Sequence, residues 1–120
     1  MTKVMKRLQF QKDMAMLQAY AMGCGINYLV TTWHRTADQQ HTLFLAHKSQ
    51  RDGLEKRSAH QEWLAIDIVI INDDGTLQWD RDERYEKLGA YWKEQRNNTW
   101  GGDWQSLNDI YHFELKDALT

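Results

Sequence analysis

The chain has a single cysteine, Cys24, among 120 residues. No disulfide can close within it, so oxidative stapling is not what holds the fold. Cys24 sits between Gly23 and Gly25, where it reads as a small packed residue at a helix end, the alternative being a nucleophile. Charge of one sign is not in excess either: the net formal charge of −2 makes no general electrostatic case for a nucleic-acid partner. No window approaches the ~20 apolar residues of a membrane span. Met1–Lys12 carries four basic residues but lacks the apolar core of a secretory leader. The chain is therefore expected to be made and kept in the cytoplasm until something releases it. No repeat, low-complexity tract or linker divides it, and its length fits one domain, residues 1–120.

What is present is periodic. Residues 3–22 read as a scaffold helix, with Val4, Leu8, Met14, Leu17 and Ala21 near helical spacing and glycines as stop signals. Ile26–Trp33 is rich in β-branched and aromatic residues and reads as a strand. Thr36 with Gln39 forms a capping box for a helix to about His47, Leu43 being one of its buried positions. Lys48–Arg57, mixed in charge, reads as a solvated loop. Asn72-Asp73-Asp74-Gly75 is a turn signal that joins a strand at 65–71 to a returning strand at 76–79. Asp82 caps a helix over about 83–96. Trp100–Trp104 reads as a loop with two flexible glycines, and Ile110–Leu115 as a closing strand. The total is an α+β domain: a small antiparallel sheet of about four strands with about three helices around it. Six tryptophans serve either as core or as rings lining a groove.

One residue interrupts the apolar strand at 65–71. Asp67 lies inside a run that reads as buried on both faces, and a buried carboxylate must be paired, protonated or bound to a metal. His60 is a short loop upstream, and His112 lies near the C-terminus. Two imidazoles and a carboxylate suit a catalytic zinc, which takes three protein ligands and keeps a fourth position open. An ion pair of Asp67 with Arg35 is the competing reading. Asp109 and Glu114 are candidate proton acceptors. On a straight strand Asp109 and His112 would face opposite ways, so a turn is expected between them.

These residues also carry a resemblance. Ser58, His60, Ala65 and Asp67 match S-x-H-x-x-G-x-A-x-D, and Asp109 and His112 match D/E-x-x-H, followed by Phe113-Glu114. Arg35-Thr36 with Gln40 and Leu43 is similar to R-T-x-x-x-Q-x-x-L, and Trp100–Trp104 to the stretch before the last histidine. In this order, over about residues 26–115, they resemble the zinc D-alanyl-D-alanine carboxypeptidases, a family that includes the L-alanyl-D-glutamate endopeptidases of phage endolysins and has the hedgehog/DD-peptidase fold. The resemblance implies one zinc ion on His60, Asp67 and His112. It implies Asp109 as general base and Arg35 as the group that binds the developing oxyanion. Ser58 would support substrate or ligand by hydrogen bonding. Glu114 is read either as partner to the second N–H of His112 or as a solvent-facing strand residue. The implied substrate is the stem peptide of bacterial peptidoglycan, cut by a monomeric phage or prophage lysin that reaches the cell wall after release. A wall-binding module without activity is the alternative. Trp63 stands where the pattern has glycine, and its ring must either turn outward or narrow the cleft beside the substrate.

Overall fold

The computed structural model describes residues 1–120. Helix α1 (Lys3–Cys24) leads into strand β1 (Asn27–Thr32), helix α2 (Ala37–Leu45), strands β2 (Ala65–Ile71) and β3 (Leu77–Gln78), helix α3 (Glu83–Glu94), and strands β4 (Thr99–Trp100) and β5 (His112–Glu114). Two short 3-10 helices, Ala59–Glu62 and Gly101–Asp103, precede β2 and follow β4. The sheet is antiparallel in the order β1-β2-β5-β4, with β3 beside the far end of β2. The α+β class holds, with five strands rather than about four because the two-residue strand β4 adds to the count, while β3 is the expected returning strand shortened to two residues.

Local signals set most boundaries. Thr36 and Gln39 form the capping box of α2. Asp82 accepts from the backbone of Arg84 and Tyr85 at the start of α3. Gly25, at φ +69°, ends α1 in the left-handed conformation. α2 stops at Leu45, before His47 turns to φ +59°. The closing strand is shorter than expected, because Ile110 and Tyr111 form a turn.

Packing corrects the face of α1. Its buried residues are Phe10, Asp13, Leu17 and Ala21, whereas Val4 is 74% and Leu8 42% exposed. Asp13 is buried because partners distant in sequence meet it: Arg96 Nη2 and Asn98 Nδ2 each lie 3.0 Å from its carboxylate. Leu43 is only half-buried, and α2 turns Gln40 inward instead. Cys24 is exposed rather than packed. The core joins α1 and α3 to one face of the sheet through Phe10, Leu88, Trp92, Trp100 and Phe113. The indole N–H groups of Trp92 and Trp100 are satisfied by backbone carbonyls of Glu114 and Ile110, as buried donors require.

The glycines at 101 and 102 are not flexible positions. A Cβ on Gly101 would stand 2.4 Å from the carbonyl oxygen of Asp109, and one on Gly102 2.3 Å from the Trp100 ring. They are small so that the chain can fold onto itself there.

Candidate metal centre

Three segments converge. In the β2–β5 pairing Asp67 is directly opposite His112, so one sheet register places both. His60 arrives from the 3-10 helix before β2. Ser58 caps that helix by accepting from the backbone N–H of His60, and its own N–H donates to Gln61. The atoms that His60, Asp67 and His112 can offer to a metal all lie within 4.8 Å of one another. His34, His41 and His47 do not join them.

The hydrogen bonds around the imidazoles fix which atoms face inward. His60 Nδ1 lies 2.8 Å from the carbonyl oxygen of Trp33, which can only accept, so Nδ1 carries the proton. Nε2 of the neutral ring is then a bare lone pair; it is buried and has no hydrogen-bond partner. It faces Asp67 Oδ1 at 3.2 Å. His112 Nε2 is 2.8 Å from Glu114 Oε1, which leaves Nδ1 directed at the same Asp67 Oδ1, 3.3 Å away. The second carboxylate oxygen of Asp67 accepts from Arg35 Nη2 at 2.9 Å. Asp67 thus has the expected pairing with Arg35 on one oxygen, while its other oxygen faces the two imidazoles.

This donor set suits a small divalent cation. Tetrahedral ligands about 2.0–2.1 Å from zinc stand roughly 3.4 Å apart, close to the two separations observed. Each imidazole gives its outer N–H to an oxygen, the arrangement that orients metal-binding histidines. Without a cation a proton must separate the facing lone pairs. Burial works against charge on His112, but the carboxylates of Asp67 and Glu114 raise its pKa to about 9. Burial pushes Asp67 up, yet His112 and His60 hold its carboxyl well below the usual carboxylate range.

Asp109 takes its place through the expected turn. The N–H of His112 donates to its carbonyl, its own N–H donates to Gly101, and its Oδ1 accepts from the backbone of Tyr111. Burial, then the negative charge of Asp67, raises its pKa. Arg35, Ser58, His60, Asp109, His112 and Glu114 all line one cavity of about 750 Å³. Residues 48–51 form one wall and 104–108 the other, so the start of the supposed solvated loop belongs to the site. Of the tryptophans only Trp104 lines it, tilted over His112 at 4.9 Å between centroids. Trp92 and Trp100 are core, and Trp79 lies outside against Tyr111.

Trp63 is corrected as a cleft residue. It is absent from the cavity wall and turns outward, stacked on His34 at 4.2 Å and edge-on to Trp33. Its φ of +64° is the left-handed conformation that glycine adopts freely, which accounts for a glycine in the pattern at this position. Two contributors escaped the sequence reading. Gln40 is fully buried; it accepts from Arg35 Nη1 at 3.0 Å and donates to Ser49 and to the carbonyl of Arg51. It falls in the R-T-x-x-x-Q segment, which signals the position but not the role. Trp33 acts through its backbone carbonyl, which no side-chain pattern reveals.

The chain is similar to known proteins. Over 111 residues the chain is 27% identical to the peptidoglycan L-alanyl-D-glutamate endopeptidase CwlK of Bacillus subtilis (strain 168), covering 82% of this chain and 66% of that protein. It therefore spans just under two thirds of the length of that curated relative. The crystal structure of the L-Ala D-Glu endopeptidase ChiX of Serratia marcescens is similar with a TM-score of 0.61 and 26% identity, over 75% of this chain and 67% of that one. Residues 52–115, more than half of the chain and including the three converging side chains, match a family described as D-alanyl-D-alanine carboxypeptidase, and the chain belongs to that family.

Proposed function

We propose that this chain is a zinc-dependent peptidase that hydrolyses a peptide bond in bacterial peptidoglycan, of the L-alanyl-D-glutamate endopeptidase or D-alanyl-D-alanine carboxypeptidase type. The observation that carries it is the unpartnered, buried Nε2 of His60 aimed with His112 Nδ1 at one oxygen of Asp67. His60, Asp67 and His112 would hold the ion. When bound, zinc supplies a Lewis acid that polarises a peptide carbonyl and makes water more acidic.

The chain's own residues do the rest. Asp109 is the base: its raised pKa moves it toward the range where a carboxylate can take a proton from water and return it to the leaving amine. Arg35 holds Asp67 and is held by Gln40, so its position is set before substrate arrives. Its remaining N–H groups are donors for the oxyanion that develops on the attacked carbonyl. Glu114 keeps the His112 ring in one orientation. Ser58 contributes through the cap that places His60. The endopeptidase type is favoured by the names of both relatives.

Digestion of purified peptidoglycan with and without chelator, read by mass spectrometry, tests this reading. New amino termini that vanish with chelator and return with zinc are expected, and fragment masses name the bond. Intact walls from several chemotypes, with zinc confirmed on the protein, would reject it.

A further inference from the structure

Trp63 strains its backbone and takes no part in the cleft. At φ +64° a residue with a Cβ crowds its own main chain, which glycine avoids. The side chain is 38% exposed and stands outside both the core cluster and the cavity wall. Its ring contacts fall on one short segment. Residues 33–36 join β1 to α2 and belong to neither, so no ladder or helical turn holds them. The Trp63 ring stacks on His34 at 4.2 Å between centroids and meets Trp33 edge-on at 5.6 Å. The Trp63 carbonyl accepts from the Trp33 indole N–H at 3.3 Å.

That segment carries two parts of the candidate site. The Trp33 carbonyl accepts from His60 Nδ1 at 2.8 Å, which leaves Nε2 facing Asp67. The Arg35 amide donates to the His60 carbonyl at 3.3 Å, and its guanidinium donates to Asp67. Trp33, His34 and Arg35 thus each touch the 60–63 turn, two of them through Trp63. We propose that Trp63 is a positioning residue: its ring, set on His34 and Trp33, braces the 33–35 segment against the 60–63 turn and so fixes the carbonyl that orients His60. Partners of a metal-binding imidazole tune the site by orienting the ring. Here the partner is a backbone carbonyl, so the segment that bears it must itself be held. Aromatic pairs supply such a hold beyond the area they bury. The inference rests on the zinc reading for its consequence, not for the contacts.

Amide exchange in the metal-free full chain, with zinc affinity from competition against a chromophoric chelator, tests it. Trp63→Gly relaxes the backbone and removes the ring, whereas His34→Ala removes the stack and leaves that backbone alone. Both should speed exchange of the Arg35 amide at least about tenfold by local opening. The Ile68 amide, bonded to Tyr111 beside the site, should keep its parent rate. Zinc affinity should fall about tenfold in each variant. Trp63→Tyr, which keeps a ring for His34, should return both readouts to near the parent. Trp63→Gly combined with His34→Ala should lose no more than Trp63→Gly alone, because both remove one stack. Equal acceleration at Ile68 would make Trp63 ordinary packing and overturn the proposal. A parent rate at Arg35 in both variants would overturn it too, as would variants that match the zinc affinity of a zinc-binding parent. A parent chain that takes no zinc would instead reject the zinc reading, and the Arg35 rates would still decide whether Trp63 holds the segment.

Discussion

His60 Nε2 faces Asp67 Oδ1 at 3.2 Å, two acceptors turned toward each other inside the domain. Such an arrangement is stable only when a cation or a proton lies between them. Zinc at about 100 times its dissociation constant should therefore stabilise the fold by about 2.7 kcal/mol. His60→Ala should lose that gain along with the metal. Differential scanning calorimetry with and without zinc reads both. A melting temperature insensitive to zinc in the parent chain would remove the metal from the site.

Replacing Asp109 with asparagine keeps its size and the backbone turn but removes the proton acceptor. Metal content should stay the same while turnover on wall peptides falls about 10²–10⁴-fold. Metal analysis alongside steady-state kinetics separates the two effects. Full turnover in Asp109→Asn would assign the proton transfer elsewhere.

Glu114→Ala frees the outer N–H of His112 without touching a proposed ligand. Losing such a partner weakens metal binding about 10–100-fold. Competition with a chromophoric chelator measures it, and an unchanged affinity would make Glu114 an ordinary strand residue.

The acid–base behaviour has a definite sign. The His112 pKa is raised to about 9 in the fold, from an ordinary value near 6.5. Its contribution to the stability of the metal-free protein is thus fully present below about pH 6.5 and lost as pH rises through 9. Zinc binding runs the other way, because the ion displaces that proton and gains affinity with pH over the same window. Urea melts of metal-free and zinc-loaded protein between pH 6 and 9.5 should diverge, and parallel curves would contradict this account.

Gly101→Ala places a Cβ 2.4 Å from the Asp109 carbonyl oxygen and 2.9 Å from His112 Cβ. The crowding should cost about 1–3 kcal/mol and disturb the turn that carries Asp109. Thermal melts and kinetics should both fall, and a neutral result would mean that the 100–104 segment yields easily.

The sequence exposes some of this architecture and hides the rest for physical reasons. A capping box such as Thr36 with Gln39 is local, so α2 begins where it is expected. Asp67 stands out because an acid inside an apolar strand demands a partner. The buried face of α1 is not legible from periodicity: Met5, Met16 and Met22 give its outer side apolar residues as well, and Asp13, besides its neighbour Gln9, is met in the core by Arg96 and Asn98, more than eighty residues away. The outward turn of Trp63 follows from a backbone dihedral, and the hold on His60 from a backbone carbonyl. Neither has a side-chain signature.

The direct pairing of Asp67 with His112 across β2 and β5 makes the candidate centre a check on sheet alignment. A slip of one residue would send either side chain to the opposite face, so an ion held there would clamp a single alignment. The clamp would span 45 residues in a chain whose lone cysteine rules out an internal covalent tie. On the zinc reading, stripping the metal should loosen β5 and its neighbour β4 before the rest of the sheet, and amide exchange should begin there.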